Sequence, residues 1–330
     1  MKEARYYESG SGTVNCLLCP QRCHLRDNEI GRCGVRQARD GKLYTLNYGR
    51  VASIALDPIE KKPLYHFYPG SSIVSVGSVG CNLSCGFCQN YQLSTRQADT
   101  EYLSAEELVA LAREPIHGEK SIGIAYTYSE PIVWFEYVMD VATKAKSVGL
   151  KNVLVTNGEI REGPLDELLT VIDAMNIDVK AFNQRFYSEI CSGPFKSVLE
   201  TVERCVGRCH IEITTLLIPS LNDSDEEIRM LARWLAQLDD TIPLHLSRYF
   251  PHHRMNLPPT PLDTLKRAYD IASESLKYVY LGNVGDPKYA TTYCPECGNP
   301  VIRRSAYYSV QVLLDGKRCR NCGATLAIIV

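Results

Sequence analysis

The sequence predicts an α/β fold, a parallel sheet curved into a partial (β/α) barrel with a cysteine-rich element on either side. Three observations carry this. From Ser72 to Asn283, short β-rich runs alternate with helix-length amphipathic segments, the pattern of parallel strands joined by crossover helices. Polar side chains recur directly after the β-rich runs, and all but three of the fourteen cysteines fall into tight clusters. At 330 residues and 45% hydrophobic content the chain has room for one barrel plus small appendages. The expected division is 1–70 as an N-terminal Cys-rich metal-binding element, 71–290 as the barrel and 291–330 as a zinc ribbon.

Strands are expected at Ile73 to Val79, Ile122 to Tyr126, Asn152 to Thr156, Ala174 to Val179, Ile211 to Leu217, Leu244 to Ser247 and Tyr278 to Leu281. Helices are expected near Ala105 to Arg113, Ile132 to Val148, Leu165 to Val171, Ser197 to Val206, Asp225 to Leu238 and Leu262 to Ser275. Ser104 with Glu107 forms a capping box for the first, and Ser224 with Glu227 repeats the device.

An open sheet and a barrel share this alternation, so the residues after each strand decide between them. Three cysteines follow the first strand, Thr127-Tyr-Ser-Glu-Pro131 the second, and Asn157 with Gly158 the third. Asp178 and Lys180 end the fourth strand, Thr214 and Thr215 the fifth, His245 and Arg248 the sixth, and Asn283 the last. So many strand ends converge on one site most naturally when the sheet curves.

Net charge is -2 with both signs mixed along the chain, so no global field points to nucleic acid or an anionic membrane. The first residues hold no apolar core of signal-peptide length, and no run approaches the ~20 residues of a membrane span. A cytoplasmic protein is expected. Clustered cysteines in such a chain mean metal rather than disulfides. Cys191, Cys205 and Cys209 stand outside the clusters and are expected as buried small hydrophobes, with a metal or redox role for the last two as the alternative.

Cys81-x3-Cys85-x2-Cys88 supplies three thiolates, one fewer than a cubane iron–sulfur cluster needs. Phe87, directly before the last cysteine, suits a flat adenine lying against the loop. This is the radical SAM signature. In that chemistry the fourth iron of a 4Fe-4S cluster is chelated by the amino and carboxylate groups of S-adenosylmethionine (SAM). One electron cleaves the sulfonium bond, and the 5′-deoxyadenosyl radical removes a hydrogen atom from a substrate. The alternative is a structural zinc site with a fourth ligand elsewhere.

Ser129 and Glu130 lie where a carboxylate and strand-edge carbonyls suit the SAM ammonium, and Pro131 fits the first turn of the next helix. Asp178 and Lys180, two apart on a strand, share a face. Asp suits the ribose hydroxyls or amino group and Lys the carboxylate. Asn157 is expected to order the neighbouring polar network. His245 is placed near the nucleoside, and Arg248 near an acidic substrate group.

Cys294-x2-Cys297 and Cys319-x2-Cys322, each followed by glycine, are two knuckles of a zinc ribbon, a closed structural site. The ribbon's functional alternative is to dock a partner or cover the barrel mouth. Cys16, Cys19, Cys23 and Cys33 form a second set of less regular spacing. Structural zinc is preferred there over an auxiliary cluster, though thiolates serve both.

Taken together, the N-terminal Cys-Leu-Leu-Cys-Pro-Gln-Arg-Cys, the cysteine loop, Tyr-Ser-Glu-Pro, Val-Thr-Asn-Gly, Asp-Val-Lys, His-Leu-Ser-Arg-Tyr-Phe-Pro, Tyr-Leu-Gly-Asn and the ribbon resemble the radical SAM component of the AmmeMemoRadiSam system. That family is related to the pyruvate formate-lyase activating enzymes. The resemblance covers nearly the whole chain. It implies a barrel of radical SAM type, SAM bound across the strand ends, a flavodoxin- or ferredoxin-like electron donor, and Memo-type and AMMECR-type proteins as candidate partners. The activating enzymes read Gly-Gly-Glu-Pro where this chain has Tyr-Ser-Glu-Pro, and two extra cysteine modules flank the barrel here. The expectation is therefore a radical SAM enzyme whose substrate the sequence does not name. The alternatives are an activase for a glycyl radical enzyme and, from another class, a zinc-stabilised RNA- or protein-binding module.

Overall fold

A computed structural model describes residues 1–95, 97–307 and 309–330. Its centre is an eight-stranded sheet: β1 (Ser53–Pro58), β2 (Ser72–Gly77), β3 (Ser121–Tyr126), β4 (Lys151–Thr156), β5 (Ala174–Asp178), β6 (His210–Leu217), β7 (Leu244–Arg248) and β8 (Val279–Gly282). The strands lie side by side in chain order, parallel from β2 to β8, with β1 antiparallel at one edge. The edge strands β1 and β8 do not pair with each other, so the sheet is open. Runs such as Asn-Val-Leu-Val in β4 supply β-branched and aliphatic side chains to both faces, as a sheet covered on both sides requires.

Six helices cross between the parallel strands: α1 (Ala105–Arg113), α2 (Phe135–Ser147), α3 (Glu162–Leu168), α4 (Phe195–Cys205), α5 (Asp225–Asp239) and α6 (Leu262–Ser273). α1 shows why they pack. Ser104 and Glu107 complete the expected capping box, and Ala105, Leu108, Val109 and Ala112 make one buried stripe. Ser224 caps α5 by accepting from the Glu227 amide.

Several boundaries differ from expectation for identifiable reasons. α2 begins three residues late because Pro131–Trp134 first forms a 3-10 turn. α3 begins at Glu162 rather than Leu165, with Pro164 in its first turn, where proline is tolerated. β1 falls within the stretch assigned to the N-terminal element and joins the central sheet instead.

The remaining chain forms two small modules at opposite ends of the sheet. Residues 1–51 fold into two three-stranded antiparallel sheets, one built on Thr13–Cys16 and the other on Lys42–Thr45. They pack by the C-terminal ends of the strands, where the Arg161 amide, after β4, donates to the Leu18 carbonyl at 3.1 Å. Arg36 reaches α2 and meets both oxygens of Glu136 at 2.8 and 2.7 Å, with both side chains buried.

The C-terminal module, strands Thr292–Tyr293, Pro300–Ala306 and Ser309–Val312 plus a knuckle hairpin, packs by the N-terminal ends. Tyr308, within the β-rich run expected there, lies outside the described residues. Arg304 anchors the module with bonds to the Tyr65 carbonyl (2.6 Å) and the buried Glu60 carboxylate (3.4 Å). Ile329 exchanges backbone bonds with His66 and Tyr68. The ribbon is thus remote from the mouth that it was offered as covering. Among the described residues no helix is long and apolar enough to cross a membrane.

Candidate functional site

The loop after β2 carries Cys81, Cys85 and Cys88 into a cavity of about 290 Å³ at the C-terminal ends of the strands. That is the small end of the range for ligand pockets, roughly 300–1,000 Å³. The loop is propped by the 187–191 turn, whose Cys191 and Ile190 carbonyls accept from the Ser84 and Gly86 amides at 2.9 and 3.2 Å. Cys81 Sγ accepts from the Leu83 amide at 3.4 Å, and Cys88 Sγ lies 3.7 Å from Ser94 Oγ. Cys191 is buried as expected, in the turn that props the loop of Cys85.

Phe87, Ser129, Glu130, Asn157, Asp178 and Lys180 line the same cavity as the three cysteines, with Thr127, Thr214 and Asn283 of the strand-end set. Tyr128 turns the chain there with φ 70°, a left-handed conformation costly for a tyrosine, and its hydroxyl is held by Asp57 at 2.7 Å. Ser129 and Glu130 therefore face the site.

Glu130 is buried and already engaged. It accepts from Thr156 Oγ1 (2.7 Å) and from the amides of Asn157 (2.8 Å) and Ile132 (3.0 Å). Burial pushes its carboxyl up to about 7 against those bonds. Lys180 Nζ pairs with Asp178 at 2.9 Å and sits 5.9 Å from the Phe87 ring. Burial opposes its charge, but Asp178 and the nearby thiols hold the ammonium well above its usual range. Asn157 bonds Asn82 at 2.9 Å and lies 3.7 Å from Cys81 Sγ, which makes it the ordering residue of the loop. Thr214 Oγ1 is buried at the cavity wall with no partner among the described residues.

His245 corrects the sequence reading. It lies two residues before Ser247, which does line the cavity, and so one layer deeper on the same strand face. Its Nε2 bonds Glu212 at 2.6 Å, and its ring packs on Tyr65 and Tyr280. Arg248 also turns away, donating to the Thr260 carbonyl at 2.8 Å. Sequence reasoning missed Asn82, Thr156 and Ser247, whose signal was their position at or just after a strand's C-terminus.

For the cluster, the donor set fits. Three thiols face a polar cavity, and among the described residues no compact group of three Cys, His, Asp or Glu ligand atoms includes them, so nothing there closes a small tetrahedral site. At the other end of the chain, Cys294, Cys297, Cys319 and Cys322 bring their sulfurs within 4.8 Å of one another, with pairs at 3.6 and 3.7 Å. Each knuckle turns at a glycine of positive φ, Gly298 (70°) and Gly323 (78°). A tetrahedral ion with 2.3 Å bonds to sulfur needs thiolates about 3.8 Å apart.

A model of the Radical SAM superfamily matches residues 75–235. The chain is 39% identical to an uncharacterised protein of Methanocaldococcus jannaschii, covering 100% of both chains. It is 26% identical to the pyruvate formate-lyase-activating enzyme of Clostridium pasteurianum over 54% of this chain and 74% of that enzyme. Streptococcus suis SuiB bound to S-adenosylmethionine shares the fold, with TM-score 0.52 and 15% identity over 62% of this chain and 49% of its own. So does a radical SAM methyltransferase from Sphaerobacter thermophilus, with TM-score 0.50 and 21% identity over 65% of this chain and 67% of its own. The motif at Cys81, the mainly parallel sheet that presents it and these similarities agree: the chain belongs to the radical SAM superfamily, in one family with the M. jannaschii protein.

Proposed function

We propose that the protein is a radical SAM enzyme in which Cys81, Cys85 and Cys88 hold a 4Fe-4S cluster and the polar strand ends bind SAM. The observation that carries this reading is the set of three thiols facing a cavity walled by Glu130, Asn157, Asp178 and Lys180. When bound, the pair would supply one-electron cleavage of SAM to methionine and a 5′-deoxyadenosyl radical that takes a hydrogen atom from the substrate. The chain's own residues do the positioning. Lys180 offers an ammonium for the SAM carboxylate, Asp178 an acceptor for amino or hydroxyl groups, and Phe87 an apolar face for the adenine. Glu130 fixes the ends of β3 and β4 relative to each other. Seven parallel strands delivering side chains to one cavity support a curved, partial-barrel sheet.

Superfamily membership favours this enzymatic reading over a binding module. Similarity to activating enzymes keeps a glycyl radical partner as the second reading. A flavodoxin- or ferredoxin-like donor would supply the electron, and Memo-type and AMMECR-type proteins remain candidate partners. The C-terminal thiols fit a structural zinc ion.

The test is anaerobic reconstitution with iron and sulfide, addition of dithionite and SAM, and measurement of 5′-deoxyadenosine by mass spectrometry. Wild type should form it and Cys85→Ala should not. Undiminished product in the variant would sink the reading. A glycyl radical signal on a co-incubated partner would select the activase.

A further inference from the structure

We propose that Cys16, Cys19, Cys23 and Cys33 hold a second, fully ligated iron–sulfur cluster rather than the zinc ion that their sequence first suggests. The four cysteines line one enclosed cavity between the N-terminal module and the catalytic loop, together with Gln21, Arg36 and Asn82. Sulfur spacing separates the two metals. The C-terminal set shows how this chain arranges thiols for a tetrahedral ion, all within 4.8 Å. Among the described residues no three sulfurs of the N-terminal set gather so closely, although Cys16, Cys19 and Cys33 are all buried around the same void. In a cubane each thiolate binds a different iron, so the sulfurs must stand apart around the cluster's body.

The surroundings suit an anionic body. The Arg32 amide donates to Cys23 Sγ at 3.4 Å. Arg36, 1% exposed, lines the cavity, and its buried Nε has no partner although its other nitrogens are bound. Glu136 meets the charge of Arg36, and the remaining buried N–H costs free energy unless an acceptor, such as a cluster sulfur, meets it.

With four thiolates the cluster has no open iron, so it exchanges electrons and binds no SAM. It would take one electron from a low-potential donor protein and release one, with no bond made or broken. Its path to the catalytic loop is short in residues. Asn82 lines the N-terminal cavity and bonds Asn157, which lies 3.7 Å from Cys81 Sγ. This relay role rests on the radical SAM reading; the identity of the metal does not.

Iron, sulfide and zinc are counted per chain in anaerobically reconstituted wild type, Cys81→Ala/Cys85→Ala/Cys88→Ala and Cys19→Ser/Cys33→Ser. The expected wild-type content is about eight iron, two 4Fe-4S clusters. The triple variant should keep about four iron and, once reduced, a paramagnetic signal that SAM leaves unchanged. The double variant should lose about four iron and keep the SAM-responsive signal. A triple variant without iron, carrying zinc at both terminal modules, overturns the proposal while leaving the catalytic reading intact. A wild type whose every cluster ignores SAM breaks the catalytic reading and leaves this one standing. Should the double variant fail to fold, the triple variant alone decides.

Discussion

At the C-terminal end of the sheet, four cysteines line an enclosed cavity; at the N-terminal end, four others close to within 4.8 Å. A second pairing runs alongside. Each end buries a carboxylate, and the two are shifted in opposite directions. Burial lifts Glu130 to about 7 because its partners are neutral donors. Burial acts on Glu212 as well, but bonds from His210 and His245 hold it well below the usual carboxylate range, with the Tyr65 and His66 amides bound to the same group. The end that carries the cavities leaves donors unpaired among the described residues, at Thr214 Oγ1 and Arg36 Nε. At the other end, the four thiols and the Glu212 carboxylate close on each other or on partners within the chain.

Opening the closed end should have the largest effect. Cys319→Ser/Cys322→Ser removes half of a four-thiol site whose spacing fits zinc, an ion that binds small zinc-finger peptides with about 10–16 kcal/mol. The variant should lose about one zinc, become protease-sensitive from the ribbon onward and still cleave SAM; unchanged zinc content would break the comparison. Next comes Glu212→Ala, which strands two amides and two imidazoles in the interior. A stability loss of about 3–5 kcal/mol in denaturant titrations is expected, with no change in SAM affinity.

Lys180→Ala acts at the other end and should weaken SAM binding by about 1.5–3 kcal/mol, roughly 10- to 150-fold, while iron content holds. Equal affinity in a binding titration would reduce Lys180 to an ion-pair partner of Asp178. The smallest effect is a pH slope. Glu130 is raised from 4.5 to about 7 in the folded chain, so between those values the native state binds a proton that the unfolded state has released. Its favourable contribution is full below the unfolded value and falls as pH rises through about 7, by at most about 1.4 kcal/mol per pH unit. Glu130→Gln should flatten that part of the stability profile; a slope identical to wild type would show that the carboxyl titrates elsewhere.

The sequence made the parallel strands legible to within a few residues, because their β-rich runs are bounded by capped helices. Strand β1 escaped because Ser-Ile-Ala-Leu-Asp-Pro is a short edge strand ending in proline, which local pattern cannot distinguish from a loop. At the site, residue type and strand end together identified Glu130, Asn157, Asp178 and Lys180. His245 shared their face but not their depth, and depth depends on how far each strand extends beside its neighbours, as the alignment of Leu216 with Ser247 shows. That the N-terminal cysteines share one cavity was likewise beyond spacing, since Cys33 reaches the set only through the hairpins that place it.

Gly80, the residue before Cys81, has φ 98°, and a Cβ there would lie 2.7 Å from Val35 and 2.8 Å from the Cys33 carbonyl. The catalytic loop and the N-terminal module are therefore cut to each other's shape at a place where no side chain fits. A module transplanted from a relative would have to bring its own counterpart of Val35, and a central domain that gained a side chain at position 80 would press against Val35 and the Cys33 carbonyl. A chimera exchanging residues 1–51 alone should therefore fail at this joint before any chemistry is asked of it.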